Sequence, residues 1–171
     1  MNKLIGSIFI LLSGVLLCDF EYQKLKKRIH MLKEIRQMCL LLGNEIRFSR
    51  NPLPDAMNHI ANRCAPVLER FLRNTALDMR TCHGQLYEIF SQNLNTVRES
   101  LPVTKEDIDR FICLGKYLGF LDYQVQMRYL EEYEKEVEAQ ITELENTLPI
   151  QRRIYTTAGL AGSCTLLVLL L

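Results

Sequence analysis

A chain of 171 residues with 24% charged side chains and a formal net charge of +1 fits one domain. It has neither the basic bias of a nucleic-acid binder nor the charge excess of a disordered chain. Its six cysteines, at 18, 39, 64, 82, 113 and 164, include no CxxC pair. That argues against the closely spaced ligand pairs of a structural zinc site and against a secreted disulfide scaffold. A near-zero mean hydropathy conceals two apolar ends around a charged middle.

The first apolar run, Leu4 to Cys18, carries no charge. At 1.5 Å rise its length is roughly 22 Å, short of the ~30 Å hydrocarbon core of a bilayer, so a cleaved signal peptide is the rival reading. The run ends Leu16-Leu17-Cys18-Asp19, without a small-x-small cleavage site. Phe20 and Tyr22 can lengthen it into the interface, which favours an uncleaved anchor.

From Leu25 to Ile46 the apolar residues Leu25, Ile29, Leu32, Ile35, Cys39, Leu42 and Ile46 step by three and four, which predicts one buried face of a long helix. Ser49-Arg50-Asn51-Pro52-Leu53-Pro54 forms a turn, because proline is tolerated only in the first turn of a helix. Ala56, Met57, Ile60, Ala61 and Cys64 then give the inner face of a second helix. A third, with Val67, Leu68, Phe71 and Leu72, reaches about Met79. A fourth runs from about His83 to Arg98 with Leu86, Ile89, Phe90, Leu94 and Val97 inward. Thr104 and Asp107 have the spacing of a capping box with Asp in place of Glu or Gln. The fifth helix carries Ile108, Phe111, Ile112 and Leu118 and stops at Gly119, a natural residue for the position after a helix end. Asp122 is placed to cap the sixth, where Met127, Leu130, Tyr133, Val137, Ile141, Leu144 and Leu148 recur at helical spacing. Glu131, Glu132, Glu134, Glu136, Glu138, Glu143 and Glu145 occupy its outer face, and Pro149 is expected to kink it.

The last run, Ile154 to Leu171, is free of charge over about 18 residues, roughly 27 Å, and predicts a transmembrane helix. Ala158/Gly162 and Gly159/Ser163 have small-xxx-small spacing, which lets another helix approach closely. This spacing suits self-association and packing between the two terminal helices equally. Lys24, Lys26, Lys27, Arg28, Lys33 and Arg36 follow the first run, and Arg152 and Arg153 precede the last. The positive-inside rule therefore places the middle in the cytoplasm. The expected organisation is a membrane helix over 1–20, a cytosolic helical domain over 21–151 and a membrane helix over 152–171. No segment alternates with period two, so the fold class is all-α. It is an antiparallel bundle of about six helices whose first and last members run antiparallel.

Little in this pattern points to catalysis. There is no glycine-rich phosphate loop, HExxH or GxSxG, and no cofactor or metal is expected. Cys82-His83 is the residual nucleophile pair, and an enzyme built on it is the least favoured reading. Contacts with partners are expected instead at two places. One is the turn, with Glu45, Arg47, Arg50, Pro52 and Leu53. The other is the acidic helix, with Glu131, Glu134 and Glu138. For the acidic helix a merely solvated face is the plainer interpretation, and two arginines on a turn are ordinary. The basic cluster Lys24 to Arg36 can serve topology alone or meet anionic lipid.

Three ordered motifs carry a resemblance: Leu42-x-x-Glu45-Ile46 followed by Pro52-Leu53-Pro54-x-Ala56 and Ile60-Ala61; Leu114-Gly115-x-x-Leu118-Gly119-x-x-Asp122-x-x-x-Gln126; and Arg153 and Tyr155 leading into Gly159-Leu160. On these, over nearly its whole length, the chain resembles the stage III sporulation protein AB family of endospore-forming bacteria. Phe48-Ser49 departs from the family's aromatic-Gly pair. The resemblance implies a likeness to one cytoplasmic domain of the inner-membrane platform proteins of type II secretion and type IV pilus systems. It also implies a complex between mother cell and forespore, a secretion-type ATPase and other membrane subunits as partners, and residence in the mother-cell membrane around the forespore. A membrane-tethered scaffold or regulatory subunit without an ATPase partner is the alternative, and homo-oligomerisation stays open.

Overall fold

The computed structural model describes the backbone of residues 2–49, 52–81, 84–119 and 122–170, and the side chains of 19–48, 52–81, 84–119, 122–149 and 157. Among the described residues there are six α-helices and no strand: α1 (Asn2–Ser49), α2 (Leu53–Ala61), α3 (Pro66–Thr81), α4 (Leu86–Val97), α5 (Lys105–Leu118) and α6 (Tyr123–Leu170), with a 3₁₀ turn at Arg98–Ser100. The chain divides into two compact units, residues 30–141 and residues 1–29 with 142–171.

In the unit of residues 30–141, α2, α3, α5 and α6 begin where local chemistry supplies the first turn. Pro52 stands in extended conformation ahead of α2, and its carbonyl accepts from Asp55 N–H (2.9 Å) and Ala56 N–H (3.1 Å). Pro66 opens α3, where a missing N–H costs nothing. The capping box of α5 forms in full: Asp107 N–H donates to Thr104 Oγ1 (3.3 Å) and Thr104 N–H donates to Asp107 Oδ2 (2.9 Å). Gln124 N–H donates to Asp122 Oδ1 (2.8 Å) at the start of α6. Two expectations need correction. Gly119 ends α5 with φ −75°, a right-handed conformation open to any residue, so no left-handed cap is made there. Helix α4 starts at Leu86, three residues after His83, which lies outside the described residues.

Most of the periodic faces read from the sequence are buried, while Leu25, Cys64, Val67, Leu86, Ile112 and Met127 are half-buried. Leu32, Ile35, Cys39, Leu42 and Ile46 of α1 and Leu130, Tyr133, Val137 and Ile141 of α6 are all in the core. At its centre Phe71, Phe90 and Phe111 meet at ring centroid distances of 4.8, 5.5 and 5.2 Å, and Tyr133 stacks on Phe111 at 6.1 Å. Edge-to-face and tilted contacts of this kind add to the burial of four large rings. Gly115 lets α5 approach α4: a Cβ there would stand 2.6 Å from Phe90 Cγ. Buried Asp107 accepts from Gln140 Nε2 (2.6 Å), tying α5 to α6.

Helices α1 and α6 run antiparallel through this unit. Arg36 lies against Glu134 and Glu138, and Gly43, further along α1, lies against Met127 and Leu130, earlier in α6.

The unit of residues 1–29 and 142–171 holds the remaining parts of α1 and α6. Lys24 and Glu21 approach to 4.0 Å, and Thr147 Oγ1 donates to the Leu144 carbonyl at 3.0 Å. Pro149 sits inside α6, where it has no N–H to give to the helix ladder. Among the described residues no helix is long and apolar enough to cross a membrane. The side chains of Leu4–Cys18 and, apart from Thr157, of Ile154–Leu171, including Ala158, Gly159, Gly162 and Ser163, lie outside the described residues.

Candidate partner-docking surface

The turn after α1 is built from two helix ends and a proline step. Glu45, half-buried in the last turns of α1, places Oε1 3.0 Å from His59 Nδ1 of α2, so the two helices are joined beneath the turn. Asp55, in the first turn of α2, pairs with Arg80 at the end of α3. Arg47 and Pro52 are exposed and Leu53 is half-buried; Arg50 lies outside the described residues. The turn also presents Phe48, 78% exposed, which was not expected as a contact residue. A signal for it was present: Phe48 falls off the spacing of Cys39, Leu42 and Ile46, so it must face outward. An exposed aromatic next in sequence to an arginine, on a frame held by the Glu45–His59 contact and the Asp55–Arg80 ion pair, offers residue types that are enriched at protein–protein contacts.

The acidic helix divides. Glu134 and Glu138 lie 3.4 and 3.1 Å from Arg36 Nη2 and so take part in joining α6 to α1, while Glu131 is exposed. Glu136 pairs with Arg110 of α5 at 3.4 Å and Glu132 with Arg128 at 3.9 Å. With Gly43 set against Met127, Arg47 is level with about residue 124 of α6, which leaves roughly 20 Å of helix between the turn and Glu138. The turn and the glutamates are therefore two separate surfaces.

Two of the described thiols, Cys39 and Cys64, are poorly suited to nucleophilic chemistry. Burial pushes the Cys39 thiol well up, and the Glu134 charge adds to the shift. Cys64 is pushed up to about 11, by burial first and then by Glu34. A thiol held protonated attacks slowly. Among the described residues no three His, Cys, Asp or Glu side chains group so as to hold a metal ion. Cys82 and His83 lie outside the described residues.

Fold and surface together define an all-α bundle protein with an exposed aromatic near the end of its first helix. Comparison with known proteins gives the particular family. The family model for stage III sporulation protein AB matches residues 3–171, so the chain belongs to that family. It is similar to the stage III sporulation protein AB of Bacillus subtilis (strain 168), with 22% identity over 172 residues and full coverage of both chains. A solved structure of a stage III sporulation protein AB superposes with a TM-score of 0.65 at 20% identity, over 72% of this chain and 97% of that one; that likeness shows the fold. These relatives are named for a stage of sporulation, not for a reaction.

Proposed function

We propose that this chain is a non-catalytic, membrane-anchored platform subunit of a secretion-like sporulation complex in the mother-cell membrane around the forespore. Its central helices lie in the mother-cell cytoplasm and dock a secretion-type ATPase, coupling it to assembly or operation of the complex. Leu4–Cys18 and Ile154–Leu171 are the anchors, and Ala158, Gly159, Gly162 and Ser163 are where another membrane helix packs against the second. The uncharged runs and their basic cytoplasmic flanks support the anchors.

The observation that carries the docking role is the Phe48–Arg47 pair. An aromatic 78% exposed at a helix end gains by being covered, and the Pro52–Pro54 step limits the turn's freedom and so the entropy lost on binding. The test is capture of the purified ATPase by the full-length chain in detergent micelles. The parent chain should retain it. Phe48→Ala with Arg47→Glu should lower capture by about ten-fold or more, while Leu77→Ala, on the outer face of α3, should leave it unchanged. If the parent chain captures nothing, the protein is a tethered scaffold without this partner and the coupling role is wrong.

A further inference from the structure

The turns of α1 that follow Cys18 have two faces. Tyr22, Leu25 and Ile29 step by three and four, and they are half-buried to buried. Phe20, Lys24 and Lys27 step by four and three on the opposite side. These three are exposed, Phe20 by 65% and the Lys24 side chain by 70%. Over residues 19–28 four cations, Lys24, Lys26, Lys27 and Arg28, stand against two carboxylates, Asp19 and Glu21. Direction adds to charge. A helical side chain leaves the backbone toward the helix N-terminus, and in α1 that is the side of the uncharged run Leu4–Cys18. The lysines of the stripe therefore lean toward that run, as Lys24 does in approaching Glu21, one turn back, to 4.0 Å. Glu143 and Glu145, exposed on the α6 part of the same unit, lean the other way, because the uncharged run of α6 lies C-terminal to them.

We infer that Phe20, Lys24 and Lys27 form a seat for an anionic membrane lipid of the phosphatidylglycerol type. The seat rests on the reading of Leu4–Cys18 as an anchor and is independent of ATPase docking. Phe20, two residues past the run, lays its ring at the boundary of acyl chains and headgroups, where lipid covers a surface that water would otherwise surround. Lys24 and Lys27 stand about 6 and 10 Å further along the axis, and their flexible stems bring the ammonium groups back to headgroup phosphate. Glu21 does not use Lys24 up: a 4.0 Å approach between side chains 48% and 70% exposed is a surface pair of little strength. Charge and position together single out the occupant. The stripe continues an uncharged run, so lipid is what its ring meets, and a zwitterionic headgroup would leave the two ammonium groups without a net countercharge. Topology needs only the sign of the basic cluster. A seat needs Lys24 and Lys27 in particular.

The chain contains no tryptophan, so Phe20→Trp places a single reporter in the seat of the full-length chain. Reconstituted in phosphatidylcholine vesicles, this chain is titrated with phosphatidylglycerol or phosphatidylcholine carrying bromine on the acyl chains. Bromine quenches tryptophan on contact, so the signal reports bound lipid and not free phosphate. Half-quenching should need about five-fold less brominated phosphatidylglycerol than brominated phosphatidylcholine. Lys24→Gln and Lys27→Gln should each reduce that preference and together bring the two lipids level. Lys26→Gln, exposed but off the stripe, should leave it at the parent value. Glutamine serves a helix about as well as lysine, so these exposed changes keep α1 intact. Equal quenching by the two lipids, a preference that survives the double substitution, or one that falls as far with Lys26→Gln as with Lys27→Gln would each overturn the seat and leave the anchors standing. Quenching by neither lipid would take residue 20 out of the bilayer and overturn the anchor reading together with the seat.

Discussion

At the scale of single residues, the contrast between two glycines is the sharpest consequence of the packing. Gly115 faces the Phe90 ring, with Cγ, Cδ1 and Cβ 2.6, 2.7 and 2.9 Å from where a Cβ would stand, and Phe90 is itself fully buried. Gly115→Ala should therefore cost about 1–3 kcal/mol or more, as overpacking does, read as a lower denaturant midpoint. Gly119 has an ordinary backbone conformation and 3.4 Å of room to Leu86 Cβ, so Gly119→Ala should change the midpoint little. The thiols give a second test. Cys113 is exposed and Cys39 buried, so a maleimide at neutral pH should modify Cys113 and reach Cys39 only after unfolding. The buried thiols and the Tyr133 phenol, also raised by burial, set a pH dependence. An unfolded thiol releases its proton near its ordinary value of 9.0, whereas folded Cys64 holds it to about 11. The unfolded chain thus binds fewer protons above pH 9, and their contribution to stability is full below that pH and lost as pH rises. Thermal unfolding followed from pH 8 to 11 should show a falling midpoint; a flat profile would contradict the burial of these groups.

At the scale of elements, the capping box of α5 does two jobs, closing its own helix and receiving Gln140 of α6. Asp107→Ala removes the cap and leaves the Gln140 amide without that acceptor, so the loss should be about 2–3 kcal/mol. Thr104→Ala, which removes only the cap, should cost about 1 kcal/mol. Much of this level was legible in the sequence. The three-and-four spacing of Leu32 to Ile46 and of Leu130 to Ile141 named residues that are all buried, and Thr104/Asp107 announced the start of α5. What the sequence could not carry was pairing across long separations. Arg36 and Glu134 are 98 residues apart, so nothing local marks Glu134 and Glu138 as members of a helix–helix contact and Glu131 as a surface residue. Gly115 was visible as part of a motif, but its reason is a ring on another helix. Phe48 was readable in principle from its position off the inner face. The turn's family likeness drew notice to Ser49 beside it instead.

At the scale of the whole molecule, the chain belongs to the stage III sporulation protein AB family and shares an all-α fold with a solved relative; our proposal adds that its helical unit presents Phe48 and Arg47 to a secretion-type ATPase. The topology has its own check. Leu4–Cys18 and Ile154–Leu171 as anchors predict that both ends resist alkaline carbonate extraction from membranes together, and that Cys113 in intact cells is reached only by membrane-permeant thiol reagents. The docking claim is tested most directly by placing a photoreactive phenylalanine analogue at position 48 of the full-length chain in sporulating cells and irradiating. The account predicts an adduct with the secretion-type ATPase from position 48 and none from position 77. Adducts with other proteins alone, or equal ATPase adducts from both positions, would contradict it.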